Sequence, residues 1–317
     1  MHDMNHPKSK EQYIIQGSDF KARRWMEPFG DNAKFFISAQ DLLRMLFRPG
    51  RKHVIFRYQN SSPRLTTDLA YTLVILILTT VRKLIRTEIY WIMHNIDRET
   101  TDKFPILTKL RRTSLKWASK YVFVTDPLFK ERFFSADKKV KSISFGPKFD
   151  GTVGQDTLDA IIELGKQHDL VALCLGASGD KYVHFCRLDK LSALAAKHKK
   201  TLLLILPEHA VYKGDNAIRI KEKNIDEKAM APYVDFVYRI NDDISMPYTI
   251  YAACDAAIPV VTGRDFFTYE IIEKYEIGFS EEDIFLASEA QMAFAKLKMR
   301  EFMQDRTWHS LADALAP

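Results

Sequence analysis

The chain has 317 residues, with 46% apolar and 28% charged residues, a composition typical of a soluble globular protein. Glycine and proline contribute 12 residues each, too few for a collagen or a low-complexity linker protein, and the length predicts two domains. The three cysteines, Cys174, Cys186 and Cys254, are scattered without metal-ligand spacing, which argues against a disulfide framework and for a reducing compartment.

Charge is distributed unevenly along the chain. Residues 1–150 contain 28 Lys and Arg against 15 Asp and Glu, whereas residues 151–317 contain 19 against 26. The first half therefore carries +13 and the second half −7. A basic half predicts an anionic partner, either nucleic acid or acidic lipid; the alternative is that charge simply varies along the chain without a binding role.

The first half alternates strand-like and helix-like segments. We predict strands at residues 53–58, 88–95 and 120–125, and helices at residues 67–86, 107–119 and 127–134. Thr67 and Asp68 are expected to cap the first of these helices. Its uncharged run, residues 69–81, is shorter than the ~20 residues that cross a bilayer, and it predicts a buried core helix. The N-terminus lacks the apolar run of a signal peptide.

The second half follows a connector rich in glycine and proline, residues 145–154. We predict helices at residues 156–168, 184–200, 247–255, 268–276 and 289–316, and strands at residues 169–176, 201–207, 233–240 and 256–263. Asp242 and Asp243 are candidates for a helix start. Strands separated by helices indicate βαβ units. The predicted fold is therefore α/β, with two Rossmann-like domains, residues 1–148 and 149–300, whose parallel sheets face a cleft.

In such folds ligands bind outside the carboxyl ends of the strands, so the residues that follow each strand are the candidates. His94 and Asn95 end a strand of the first half, and Asp97 lies in the loop that follows. A histidine at this edge can donate a hydrogen bond or act as an acid or base near neutral pH. The alternative is a histidine that only caps the turn.

A second candidate is the turn after the first strand of the second half. Gly176, Ser178 and Gly179 permit a close approach to the backbone, and Lys181 supplies a cation. Exposed backbone N–H groups beside a lysine form a phosphate cradle. The alternative is an ordinary strand-to-helix turn without a ligand.

A third candidate follows the strand at residues 256–263. Gly263 opens a turn, Arg264 stands at the edge, and Thr268 is expected to cap the next helix. Glu270 in the first turn of that helix could hold ribose hydroxyls, although an acidic residue also simply suits a helix N-terminus.

These three sites occur together and in this order, and the segments that carry them resemble the GT-B glycosyltransferases of bacterial surface-polysaccharide assembly. IYWIMHNID resembles the strand and loop of the acceptor domain, LCLGASGDKY the turn that holds the donor diphosphate, and IPVVTGRDFFTYEIIEKYEIGF the glycine turn and glutamate of the donor domain. QDRTWHSLADAL resembles the closing helix, which implies that residues 301–317 pack back on the first domain.

The sequence departs from the pattern of this family at several positions. Retaining members carry a pair of glutamates where this chain has Ile244 and Ala252, and Ala257 replaces a usual glycine. Inverting or retaining stereochemistry therefore does not follow from the resemblance. The N-terminal glycine-rich loop is also indistinct, with Gly30 as the nearest candidate.

The resemblance implies a metal-independent enzyme that moves a sugar from a UDP- or GDP-type nucleotide sugar to a glycan or lipid-linked glycan, with no further cofactor. It implies that His94, Asn95 and Asp97 serve the reaction, and that the two glycine turns, Arg264 and Glu270 hold the nucleotide. The basic domain is expected to lie on the inner face of the cell membrane, which makes the protein cytoplasmic and peripheral, with no nucleic-acid partner.

Three alternatives remain open at this stage. A nucleotide-sugar epimerase shares the fold, but the basic half argues against it. A non-catalytic GT-B subunit that activates a partner is consistent with the missing glutamate pair. A nucleic-acid binder would use the basic half, yet no known nucleic-acid motif is present in the sequence.

Overall fold

The structure of the chain is a computed structural model that describes residues 11–97, 102–149, 151–175, 187–222 and 224–316. The chain divides into two compact units: residues 1–145 together with 308–317, and residues 146–307. Each unit is built on its own six-stranded sheet, and every pair of neighbouring strands is parallel. The predicted class, α/β with two Rossmann-like domains, is confirmed.

The first unit carries its sheet in the order β2-β1-β3-β4-β5-β6. The strands are β1 (Gln12–Gln16), β2 (Ala33–Phe36), β3 (Lys52–Phe56), β4 (Thr87–Met93), β5 (Tyr121–Val124) and β6 (Val140–Ser142). The helices between them are α1 (Phe20–Met26), α2 (Ala39–Leu46), α3 (Leu65–Val81), α4 (Pro105–Ala118) and α5 (Pro127–Phe133). Right-handed crossovers place α2 to α5 on one face of the sheet and α1 on the other.

The second unit has the sheet order β12-β11-β10-β7-β8-β9. Its strands are β7 (Leu170–Cys174), β8 (Leu202–Pro207), β9 (Ala217–Ile220), β10 (Phe236–Tyr238), β11 (Val260–Thr262) and β12 (Gly278–Ser280). Its helices are α6 (Gln155–Gly165), α7 (Leu188–Lys197), α8 (Glu227–Met230), α9 (Tyr248–Asp255), α10 (Phe267–Tyr275) and α11 (Glu289–Gln304). The last helix, α12 (Ser310–Leu315), belongs to the first unit, where it packs on α1.

Several predicted helix boundaries were wrong. The tail forms two helices rather than one, because α11 ends at Gln304 and α12 begins at Ser310. Asp242 and Asp243 precede α9 without starting it. Thr268 does not cap α10, since the cap position is Phe266 and Thr268 lies inside the first turn, where it is fully buried.

Helix α3 differs most from its predicted form. It begins at Leu65, before Thr67 and Asp68, so neither residue caps it. Asp68 instead points inward and forms a buried ion pair with Arg111 of α4, at 2.9 Å. The helix is also only half buried, because one of its apolar faces is exposed. In the described parts of the chain, no helix combines the length and the apolar character needed to span a bilayer.

Candidate functional site

The carboxyl edge of the first sheet is organised by the turn between β1 and α1. Gly17 in this turn has a φ of +85°, and a Cβ there would lie 3.2 Å from Arg57 Nη1 and from Asp19 Oδ2. Asp19 caps α1 by accepting hydrogen bonds from two backbone N–H groups. The turn therefore requires glycine, both for its backbone conformation and for its space. Gly30, the candidate from sequence, lies in a 3-10 helix with no atom within 4 Å of the Cβ that it lacks.

Arg57, one residue beyond β3, is the central side chain of this edge. Its side chain has no exposed surface, and it donates to the Asp19 carboxylate at 2.7 and 3.2 Å and to the Gln16 carbonyl oxygen at 3.2 Å. Partial burial opposes ionisation of Asp19, but the hydrogen bonds and charge of Arg57 outweigh it and lower the pKa of that carboxyl. Sequence reasoning missed Arg57, because an arginine at a strand end normally lies in solvent.

His94 is placed directly beside this arginine. Arg57 Nε donates to His94 Nε2 at 3.4 Å, and the Tyr58 ring stacks on the imidazole with centroids 4.3 Å apart. Burial, followed by the charges of Arg57 and Lys21, lowers the pKa of His94 well below its usual range. An Nε2 that accepts a hydrogen bond leaves the proton on Nδ1. The imidazole is therefore neutral and suited to donate from Nδ1 rather than to take up a proton.

Asn95 and Asp97 lie in the loop after β4, and Arg112 of α4 holds the backbone of that loop. The guanidinium donates to the carbonyl oxygens of Asn95, Ile96 and Asp97 at 2.9, 2.7 and 3.1 Å. It also lies over the Trp91 ring, 5.4 Å from the centroid. The loop is therefore fixed by three charge-assisted hydrogen bonds.

A cavity of about 520 Å³ lies along the same helix. Its lining includes Pro105, Thr108, Lys109, Arg112 and Thr113. Two of these side chains are cationic, so an anionic group would be favoured in the cavity.

In the second unit, the predicted phosphate cradle lies outside the described residues. This applies to Gly176, Ser178, Gly179 and Lys181. Their predicted role stays a prediction.

The turn after β11 places Gly263 and Arg264 at the carboxyl edge of the second sheet. A Cβ on Gly263 would lie 2.8 Å from Asp265 Oδ1 and 3.1 Å from the Phe266 ring, so a larger residue would displace these side chains. Arg264 is exposed and donates to Asp283 at 2.7 and 3.0 Å. Glu270 is partly buried in the first turn of α10.

Two basic residues missed by sequence reasoning stand at the start of α7 on this edge. Arg187, at the cap position, forms a bidentate ion pair with Asp265 and lies 4.7 Å from the Phe266 ring centroid. The arginine lowers the pKa of the Asp265 carboxyl. Lys190 donates to the buried Glu281 at 2.6 Å. A helix start that carries cations favours an anion. The basic residues of the sequence RLDK, at residues 187–190, could have indicated them.

The carboxyl edges of the two sheets thus carry different chemistry. The first carries a neutral imidazole, held between a buried guanidinium and an aromatic ring. The second carries cations at a helix start, each neutralised by a carboxylate of the protein. An anion that replaced Asp265 on Arg187 would gain a fork-shaped donor already in position.

The fold is shared with solved structures, although no protein-family model and no curated protein sequence matches the chain. The Anabaena protein HepE, solved in complex with UDP, aligns with a TM-score of 0.67 and 11% identity over 96% of this chain and 98% of its own. The N-terminal domain of Candida albicans trehalose-6-phosphate phosphatase aligns with 0.60 and 9% identity over 96% and 95%. WaaG, a glycosyltransferase involved in lipopolysaccharide biosynthesis, aligns with 0.53 and 10% identity over 96% and 98%. These likenesses establish the two-domain GT-B fold of the chain.

Proposed function

We propose that the chain is a glycosyltransferase that moves a sugar from a nucleoside-diphosphate sugar to a hydroxyl acceptor. The observation that carries the proposal is the cationic start of α7, where Arg187 and Lys190 are neutralised by Asp265 and Glu281. A structure of the same fold was solved in complex with UDP, which is consistent with a nucleotide ligand. Fold likeness alone does not identify an activity, so the site chemistry has to support the assignment.

On the donor side, the diphosphate would displace Asp265 from Arg187. The guanidinium would then offset the charge that develops on the leaving diphosphate when the sugar C1–oxygen bond breaks. Lys181 and the backbone of residues 176–179 are proposed to join it, with Gly263 and Arg264 on the neighbouring turn and Glu270 on the ribose. Because these groups supply the positive charge, we expect the reaction to run without a metal ion, with UDP or GDP as the nucleotide.

On the acceptor side, the neutral His94 would donate from Nδ1 to the transferred sugar or to the acceptor. The fixed loop with Asn95 and Asp97 would shape this part of the site. The cationic cavity beside α4 favours an acceptor with an anionic group, such as a diphosphate-linked glycan.

The acceptor and its location are the finer part of the proposal. A role in surface-polysaccharide assembly agrees with that of WaaG, a glycosyltransferase of the same fold involved in lipopolysaccharide biosynthesis. The charge of +13 on residues 1–150 supports a peripheral position on an anionic membrane face, since each basic residue near such a surface contributes about 1 kcal/mol.

One observation favours a second candidate, a non-catalytic subunit of the same fold. Ala252, where retaining GT-B glycosyltransferases have a glutamate, is buried in α9 and offers no polar group. Such a subunit would bind a nucleotide or a partner without transferring sugar.

A thermal-shift screen of UDP- and GDP-sugars, followed by a transfer assay with the stabilising donor, tests the proposal. A donor at 100 times its dissociation constant should stabilise the fold by about 2.7 kcal/mol. Stabilisation together with transfer to an acceptor agrees with the proposal, and stabilisation without any transfer or donor turnover favours the non-catalytic subunit. If no nucleotide sugar shifts the melting temperature, the proposed function is wrong.

A further inference from the structure

Helix α3 carries polar as well as apolar residues on its buried side and an apolar stripe on its exposed side. The residues that face the interior and are nearly inaccessible are Asp68, Thr72, Ile75, Leu78 and Thr79. Leu73 and Ile77 are 57% and 50% exposed, and Leu65 and Leu69 continue the same stripe at four-residue steps. A helix on the surface of a water-soluble protein normally carries charged and polar residues on its exposed side. The exposed stripe therefore fits contact with something other than water.

The stripe continues onto the neighbouring helix. On α4, Ile106 and Trp117 are 81% and 67% exposed, and Leu110 lies between them. The two helices pack together and are joined by the buried pair of Asp68 and Arg111. We call this the α3–α4 surface, which comprises Leu65, Leu69, Leu73, Ile77, Ile106, Leu110 and Trp117. Exposed apolar side chains grouped in this way on two packed helices mark an interaction site.

Basic residues predominate around the α3–α4 surface, where Asp102 lies before α4 and Asp137 is 3.9 Å from Lys116. Lys103, Lys109 and Lys116 on or beside α4 are exposed, as are Arg64 before α3 and Lys83 after it. The acidic residue within the two helices, Asp68, is buried and paired. A second copy of the chain docked face to face would bring like charges together. A partner with an anionic surface and an apolar interior would match both the basic residues and the exposed apolar side chains.

We infer that the α3–α4 surface inserts shallowly into the interface of a bilayer that contains anionic lipids. Leu73, Ile77 and Trp117 would lie at the boundary between headgroups and acyl chains, and the lysines around them would contact the headgroups. This inference deepens the membrane location in the proposed function, because it assigns the contact to an apolar surface rather than to charge alone. It does not depend on glycosyl transfer.

The position of the tryptophans gives a direct test with the full chain. Trp25, Trp91 and Trp308 are buried, so Trp117 is the exposed one of the four and reports on its surroundings by fluorescence. Vesicles of phosphatidylcholine mixed with phosphatidylglycerol should shift its emission to the blue and shield it from acrylamide. Vesicles of phosphatidylcholine alone should do so much less.

Two double variants separate the apolar and the charge contributions. Leu73→Ser with Ile77→Ser should weaken vesicle binding at least about tenfold, since apolar burial is lost. Lys83→Ala with Lys116→Ala should weaken it about 25-fold, at about fivefold for each cation. Leu286→Ser, at an exposed apolar residue of the second unit, serves as the control and should bind vesicles like the unchanged protein.

Four outcomes would overturn the inference. The first is vesicle binding that the lysine variant loses but the Leu73/Ile77 variant keeps, which indicates adsorption by charge alone. The second is a dimer that the Leu73/Ile77 variant abolishes, with no vesicle binding. The third is binding to duplex DNA in place of vesicles, and the fourth is no binding to either. Vesicle binding that persists when no nucleotide sugar stabilises the fold would refute the proposed function and leave this inference intact.

Discussion

The carboxyl edges of the two sheets hold their arginines in opposite ways. Arg57 of the first unit is completely buried, and its partners come from two segments: Gln16 and the 44% exposed Asp19 from the β1–α1 turn, and His94 after β4. Arg187 of the second unit is 31% exposed, and its partner Asp265 is 58% exposed. A buried guanidinium resists rearrangement because leaving it unpaired is costly, whereas an exposed pair exchanges partners readily. The first edge therefore suits a fixed hydrogen-bond donor, and the second suits a site that exchanges one anion for another.

The largest effect should follow from removing the imidazole at the first edge. His94→Phe keeps a ring against Tyr58 but removes both nitrogens. If Nδ1 donates to a developing charge, turnover should fall about 10²–10³-fold, while nucleotide binding is unchanged. His94→Gln should restore part of the turnover, since an amide can accept from Arg57 and still donate. A His94→Phe variant that keeps full activity per folded molecule would show that the histidine is structural.

The arginine that holds His94 should matter chiefly for stability. Arg57→Met should reduce the free energy of unfolding by about 3 kcal/mol, near the low end for a broken buried pair because Asp19 can be rehydrated. Arg24→Met is the matched control, since the partner of Arg24, Glu27, is 55% exposed, and its effect should stay within about 0.5 kcal/mol. Urea denaturation measures the free energy of unfolding of both variants. Equal losses in the two variants would contradict the assigned difference between buried and exposed pairs.

The lowered pKa of His94 predicts a pH dependence of stability. The unfolded chain takes up a proton on this histidine near its ordinary pKa of about 6.5, whereas the folded chain does not until a much lower pH. Stability should therefore fall as the pH drops below about 6.5, by up to about 1.4 kcal/mol per pH unit from this group. His53, whose pKa burial also lowers, contributes in the same direction. The free energy of unfolding, measured against pH for the unchanged protein and for His94→Phe, isolates the contribution of His94. Superimposable pH profiles would contradict the lowered pKa of His94.

The smallest effect concerns the exposed pair at the second edge. Asp265→Asn removes the carboxylate that a diphosphate has to displace from Arg187. Because exposed ion pairs contribute roughly 0.2–1 kcal/mol, UDP should bind about 1.5- to 5-fold more tightly. Titration calorimetry measures this change. Weaker binding would mean that Asp265 contacts the nucleotide itself.

The sequence predicted the architecture better than the sites. Long apolar runs such as residues 201–207 specify buried parallel strands. Strands without such a run were missed, namely β1, β2, β6, β9 and β12. The run at residues 69–81 has no charged residue, so the exposed face of α3 was predicted to be buried. The inward position of Asp68 was also missed, because its partner Arg111 is 43 positions away.

The same limit applies to the sites. A histidine after a strand is visible in the sequence, so His94 was singled out. Arg57 meets Asp19 across 38 positions, and Arg187 meets Asp265 across 78. Ion pairs of this kind form only when the sheet is complete, and no local sequence pattern predicts them. The need for glycine at Gly17 was likewise missed, because it follows from the positions of Arg57 and Asp19 rather than from a sequence motif.

Calorimetric titration of UDP into the unchanged protein, Arg187→Ala and Arg300→Ala tests most directly whether the second unit holds a nucleotide diphosphate. Arg300 is exposed on α11 and controls for the loss of one positive charge. Hydrogen bonds to charged groups contribute about 1.5–3 kcal/mol, so Arg187→Ala should weaken UDP binding at least about tenfold, while Arg300→Ala leaves it unchanged. Equal affinity in all three proteins, or no binding of UDP or GDP to the unchanged protein, would contradict the account.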